Sequence, residues 1–412
     1  MHLGNEGAKH MVTRAERTTF GEWWWTIDRW LMFSFVALMV SGFLFGLAAY
    51  PPVANKLGLP TFHFVNRQAV FLLLFGALMV GASFLNPRQV RRAAIVLFIV
   101  GLGLVVATLF VGAEVKGARR WINLPGFSLQ PSEILKPAFV IMAAWAFSER
   151  QSRRDMPSLM IALLLLPMVV VPLIRQPDLG QTILVTTVWC GLFFLAGLHI
   201  MWVIGLAGGG IVGLFAAYRF LPHVTDRIDR FLNKGNGDTF QTDMALESFL
   251  SGGWFGRGPG EGIIKRSLPD SHTDFMFAVI GEEFGAITCL LVVALFGFIV
   301  VRGMISARQN ADPFCRMAGA GLVMLFGLQA FINMAVNLNL IPPKGMTLPF
   351  LSYGGSSLLS VAITTGLLLA VTRKRPKAAL MDRMAQPHGA NAPAGMTLMP
   401  GTAYRQGSPT HA

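Results

Sequence analysis

The sequence predicts an all-α polytopic membrane protein of about ten transmembrane helices, with one long loop between the seventh and eighth. Three observations carry this. Of 412 residues, 53% are hydrophobic and only 13% charged, against about 25% charged in soluble chains. Apolar runs near the ~20 residues that cross a bilayer recur along the chain. Finally, the net charge of +13 is concentrated in short segments beside span ends. In a soluble protein that charge would suggest nucleic acid; here it marks orientation, because cytoplasmic loops collect Lys and Arg.

The candidate spans cover about 30–50, 69–86, 94–113, 132–148, 158–174, 180–198, 200–218, 274–301, 317–338 and 356–372. The fourth is the most polar, with Glu133 and Lys136 at its start. His199 alone separates the sixth from the seventh. An even number of crossings puts both termini on one side. With that side cytoplasmic, the inner segments hold Arg14, Arg17 and Arg29, then Arg88, Arg91 and Arg92, then Arg150, Arg153 and Arg154, then Arg302, Arg308 and Arg316, then Arg373, Lys374 and Arg375. The outer segments still carry Lys116, Arg119, Arg120, Lys136, Arg175, Arg257, Lys265, Arg266 and Lys344. Headgroup contact explains some of these; an anionic partner on the outer face explains the rest.

Residues 1–28 are polar, show no cleavable signal and read as a cytoplasmic segment. Residues 29–375 form the transmembrane domain. Residues 376–412, rich in Ala, Pro, Gly and Met, read as a disordered cytoplasmic tail. The loop of about 219–273 is too long to be a plain connection. Its Phe231, Phe240, Phe249 and Trp254 argue for short helices on the membrane, with "DMALESFL" as one. Cys190, Cys289 and Cys315 have neither metal-site nor disulfide spacing. No internal repeat supports an inverted-repeat transporter.

The polar motifs each have a structural and a chemical reading. In "SHTD", Ser271 and Asp274 fit a capping box for the eighth span, and a carboxylate ionised at a wet helix mouth can also accept a proton. Glu282 and Glu283, two turns further in, either pair with buried polar groups or belong to a polar path. In "RQPDLGQT", Asp178 and Gln181 form a second capping box; capping gives Arg175 no role. In "GARRWINLPGFSLQPSEILKP", Pro131 reads as a helix start, and Glu133 and Lys136 share a face at i, i+3. A lysine there also suits a phosphate. "NLNLIPPKGMTLPFLSYGGSSLLS" is a polar break whose non-helical backbone must be buried in protein or line a wet cavity.

"GARRWI…QPSEILK", "RQPDLGQT", "HTDFMFAVIGEEFG" and "PPKGMTLPFLSYGGSS", in this order, resemble the FtsW/RodA/SpoVE (SEDS) family over roughly residues 20–375. The wording "KGMTLPFLSYGG" is closer to the division branch than to the elongation branch. The resemblance implies a peptidoglycan glycosyltransferase that polymerises lipid II outside the bacterial cytoplasmic membrane, at the septum. It implies a class B penicillin-binding protein transpeptidase and other division proteins as partners. The family's catalytic aspartate falls on Asp274, beside His272 and Thr273. Other functional positions fall on Arg119, Glu133, Lys136, Arg175, Asp178 and the segment with Ser352 and Ser356. The long loop departs from the family wording: "TFQTDMALES" keeps Gln241 but lacks a second glutamine.

The implied chemistry suits the residues. Outer cations, among them Arg119, Lys136, Arg175, Lys265, Arg266 and Lys344, would hold the pyrophosphate and stabilise its leaving charge. Asp274 would deprotonate the attacking 4-hydroxyl, inverting the anomeric carbon. A divalent cation beside the carboxylate is compatible, although no ligand cluster demands one. The alternative class is a lipid II flippase, with Glu282, Glu283 and the break before the tenth span as its path; a pure scaffold would need none of the outer carboxylates.

Overall fold

The computed structural model describes residues 19–115, 118–124, 127–152, 158–197, 200–220, 225, 229 and 240–374. The helices are α1 (Thr19–Thr26), α2 (Arg29–Ala49), α3 (Pro51–Lys56), α4 (His63–Ser83), α5 (Pro87–Val111), α6 (Pro131–Ser152), α7 (Ser158–Arg175), α8 (Leu179–Leu195), α9 (Ile200–Phe220), α10 (Phe240–Gly252), α11 (Met276–Arg308), α12 (Pro313–Asn337) and α13 (Gly355–Thr372). Ten of them overlie the ten predicted spans. Seven, α2, α4, α5, α7, α11, α12 and α13, are long and apolar enough by themselves to cross a membrane. Apolar α8 has 17 residues, α6 carries Glu133 and Lys136, and α9 has 21 residues. "DMALESFL" is helical, as predicted, within α10. The predicted tail at 376–412 lies outside the described residues.

The hydrophobic windows of α12 and α13 are 72% and 78% buried, against about a third or less for α2, α4, α5, α7 and α11. The former pair therefore forms the centre, and the latter surround it. Leu73, Phe110 and Leu291 are among the large apolar side chains the outer helices leave exposed, as lipid-facing positions require. The two ends of the bundle meet where the crossing count predicts. Lys374 N donates to Thr26 O at 2.9 Å, and Arg373 Nε to Thr26 Oγ1 at 3.0 Å.

Two features run against the sequence reading. A three-stranded antiparallel sheet, β1 (Ala113–Val115), β2 (Ala118–Leu124) and β3 (Phe127–Leu129), replaces the loop expected after the third span. The three-residue strands are too short to display alternation, and β2, ARRWINL, does not alternate apolar with polar. Also, α1 lies within the stretch read as merely polar. Its Trp23 is buried, donates from Nε1 to Ser83 Oγ at 2.7 Å and stacks on Phe84.

The eighth span is broken. Inside α11, Gly285 has φ 81° and ψ 175°, a conformation closed to other residues. The segment after α10 repairs the lost bonding. Arg257 N donates to Glu282 O and Gly258 N to Glu283 O, both at 3.0 Å. Ala286 N donates to Gly253 O at 2.9 Å and Ile287 N to Trp254 O at 3.3 Å. The 23 residues from Ala286 to Arg308 measure about 34 Å, enough for the ~30 Å hydrocarbon layer. The half before Gly285 is buried in protein from Met276 to Glu283, so the two glutamates need not sit at membrane depth.

Candidate functional site

The candidate site lies at the end of the bundle where α6, α8, α11 and α13 begin. The predicted Ser271–Asp274 capping box does not form. Phe275 occupies the N-cap of α11 and offers no side-chain bond. Residues 270–274 fold instead into a turn, with Asp274 N donating to Asp270 O at 3.0 Å and Thr273 Oγ1 to the same oxygen at 3.2 Å. The cap comes from another helix: Asn337 Oδ1 accepts Ala278 N at 3.0 Å. The Asp274 carboxylate lies against the turn at Gly345, where a Cβ would stand 3.6 Å from Oδ2. Gly345 has φ 62°, which only glycine adopts without cost.

The preceding residue, Lys344, packs its backbone on the start of α8, 3.1 Å from where a Gly180 Cβ would be. Beside it Asp178 caps α8, as predicted, accepting Gln181 N at 3.4 Å. The reciprocal half of that box is missing, because the Gln181 side chain donates to Glu133 Oε1 at 2.7 Å. Asp178 Oδ2 accepts Gln130 Nε2 at 3.2 Å. Burial pushes the Asp178 carboxyl above the usual range, opposed by the nearby Arg120 guanidinium.

The predicted Glu133–Lys136 pair forms at 2.9 Å in full burial, and Lys136 Nζ also donates to Gln329 Oε1 at 3.0 Å. Among the described residues Glu133 Oε2 and Gln181 Oε1 have no protein partner. They are two buried acceptors suited to a hydroxyl or amide donor. No group of three His, Cys, Asp or Glu stands together among the described residues.

An aromatic wall flanks Asp274. Tyr353 N donates to His272 O at 2.9 Å, and the rings of His272, Phe64, Tyr353 and Tyr50 pack in succession at 5.1–5.9 Å. Burial pushes the His272 pKa down and that of Tyr353 up. Arg67 on α4 acts on Tyr353 electrostatically, and it escaped the sequence reading. Gln329, Asn333 and Asn337 form a polar stripe at intervals of four along α12, the signal by which the sequence could have flagged a functional face.

Several predicted substrate ligands have other work. Lys265 is buried, ion-paired with Glu283 and bonded to Ala48 O at 3.0 Å, so it is not presented to a pyrophosphate. Glu282 accepts the N–H groups of Ile263, Ile264 and Lys265 at 2.6, 2.8 and 3.0 Å. These two glutamates thus pin the long loop rather than line a path. Ser352 Oγ accepts Leu348 N at 2.9 Å; Ser356 Oγ accepts Gln130 N at 3.0 Å and donates to Ser128 O at 2.7 Å. Arg119 is exposed and pairs loosely with Glu114 at 3.4 Å. Its neighbour Arg120 is spent on the carbonyls of Gln176 and Pro177. Arg175 and Arg266 are exposed at the same end, and Gln241 is half-buried on α10.

The FtsW/RodA/SpoVE family, described as cell cycle protein, matches residues 29–377. A relative from Caulobacter vibrioides, named probable peptidoglycan glycosyltransferase FtsW, is 45% identical over 372 residues, covering 90% of this chain and 95% of its own. One of the same name from Trichlorobacter lovleyi is 36% identical, covering 84% and 93%. Among solved structures, one from a study of polymerization and crosslinking by a peptidoglycan synthase complex aligns with a TM-score of 0.71 at 28% identity, covering 84% of this chain and 97% of that one. The rod shape determining protein RodA of Thermus thermophilus aligns with a TM-score of 0.62 at 28% identity, covering 85% and 97%. Four motifs, ten helices and matches along nearly the whole transmembrane region agree: the chain belongs to the FtsW/RodA/SpoVE family.

Proposed function

We propose that the chain is a peptidoglycan glycosyltransferase that polymerises lipid II, with Asp274 as general base. The observation that carries this is the placement of Asp274. Its carboxylate lies against the Gly345 turn, and the neighbouring Lys344 packs on the start of α8, whose Gln181 joins the buried Glu133–Lys136 pair. An acid so placed can take the proton of an attacking hydroxyl. Lys344, Arg119, Arg175, Arg266 and Arg67 supply positive charge at the same end for a pyrophosphate leaving group. Glu133 Oε2 and Gln181 Oε1 are acceptors for a sugar hydroxyl or acetamido N–H.

The basic segments at the opposite end support cytoplasmic termini and an extracytoplasmic site. The 45% identity to a relative named FtsW, against 28% to RodA, supports the division role and septal location. The alignment with a protein from a peptidoglycan synthase complex supports a class B penicillin-binding protein as partner, alongside other division proteins. The flippase alternative loses its main feature, because Glu282 and Glu283 are consumed by the loop.

The test is polymerisation of purified lipid II by the purified chain with its partner transpeptidase, read as glycan chains on a gel. Asp274→Asn should lower turnover by about 10²–10⁴-fold, the range for loss of a general base. Equal chains from the variant would remove Asp274 from the chemistry. Lipid translocation without chains would favour a flippase.

A further inference from the structure

The carboxamide stripe on α12, of which Asn337 opens the polar break before the last span, bonds to Lys136, to the Asp274 turn and to the 346–347 segment. Gln329 joins Lys136 on α6 to Thr347 O, at 3.0 and 3.3 Å. One turn on, Asn333 Nδ2 donates to Asp274 O at 2.8 Å and to Met346 O at 2.5 Å. Another turn on, Asn337 Nδ2 donates to Asp274 O at 2.9 Å, while its Oδ1 caps α11 at Ala278 N. Asn333 and Asn337 are buried, with 1% and 0% exposure.

We infer that Asn333 and Asn337 are the positioning residues of the reaction: together they clamp the Asp274 carbonyl and tie it, through Asn333, to the Lys344–Met346 turn. The argument is geometric. An amide NH₂ has two hydrogens, and Asn333 spends them on the two loops that face each other across the site. Asn337 gives the first turn of α11 its side-chain bond and also holds the Asp274 carbonyl, so α12 fixes where the Asp274 turn joins the helix. Because α12 is central and largely buried, it is a rigid reference for both loops. The side chains act through Asp274 rather than on substrate, since both are buried, both amide nitrogens donate to main chain, and Asn333 Oδ1 faces Asn337 Nδ2 at 3.4 Å. A general base must stay within hydrogen-bond reach of its proton, and a shift of about 1 Å can cost about a hundredfold in rate.

This rests on the proposed polymerase reading, and the experiment separates the two. Asn333→Asp keeps the shape but turns the donors into an oxygen facing two carbonyl oxygens. Asn337→Asp keeps the acceptor for Ala278 N and loses the donor to Asp274 O. Asn333→Ala is the milder companion should Asn333→Asp not fold. Each is assayed for lipid II turnover and KM, and for amide hydrogen exchange over residues 270–280 and 344–349. The expected result is a loss of turnover of about a hundredfold with KM within about twofold, and faster exchange in both segments. A raised KM with unchanged turnover, or no change in either constant, overturns the inference. If the wild type makes no polymer, the polymerase reading fails and exchange alone decides. Faster exchange in Asn333→Ala then upholds the clamp, and wild-type exchange overturns it.

Discussion

Lys136 Nζ lies 2.9 Å from Glu133 Oε1, with the two side chains 2% and 6% exposed. Glu133 also accepts from Gln181 on α8, and Lys136 donates to Gln329 on α12, so the pair is tied into two other helices. Removing the cation alone leaves that charge buried. Lys136→Met should destabilise the fold by about 3–5 kcal/mol. The double variant with Glu133→Gln should recover part of the loss, because no charge is then stranded. Thermal unfolding in detergent measures both.

Gly285 makes the break that lets the loop bond to α11. An alanine there would hold a Gly-only φ/ψ and bring its Cβ to 2.4 Å from Trp254 O and Gly256 N. Gly285→Ala should cost upward of about 1–3 kcal/mol from strain alone. It should also expose residues 253–258 to protease, read as a new cleavage in limited digestion.

Glu282 holds the turn at residues 263–265 by three main-chain bonds. Glu282→Ala strands those buried donors, at about 1–3 kcal/mol in all if water reaches some of them. Lys265→Met strands Glu283 instead. Both should loosen the loop without changing the basic end of the bundle, where Asp28 is bonded to Arg302 and Ser306 at 2.9 and 2.6 Å. Hydrogen exchange over the two regions separates local from global loss.

His272 is buried against Phe64 and Tyr353, and burial lowers its pKa below the ordinary value near 6.5. The folded state then binds its proton less readily than the unfolded state. Stability from this group is complete above about pH 6.5 and falls as pH drops towards and through the folded pKa, with a slope no steeper than about 1.4 kcal/mol per unit. His272→Phe keeps the ring packing and should remove that part of the acid sensitivity. Melting temperatures of both forms from pH 7.5 to 5 test it. Parallel curves would show that His272 titrates as it would unfolded.

The helices of the spans and the Asp178 cap were legible because each is a local pattern: apolar length in one case, Asp before a helix in the other. The Glu133–Lys136 pair was legible for the same reason, as i, i+3 residues share a helix face. Ser271 and Asp274 carried an equally good local pattern and it misled. Asn337, 63 residues from Asp274 along the chain, supplies the cap, and no local rule sees that distance.

By itself, then, the sequence determined an all-α polytopic membrane protein and its family, and it offered Asp274 as a candidate base. It could place charges at one end of the bundle but not assign their work. Lys265 and Arg266 are adjacent in sequence, yet one is buried in an ion pair and the other is exposed. Of the adjacent Arg119 and Arg120, the first is exposed beside Glu114 and the second is half-buried on the carbonyls of Gln176 and Pro177. Only the tertiary structure decided these, because whether a cation faces a substrate or a partner carboxylate depends on which segments the break at Gly285 and the carboxamides of α12 bring together.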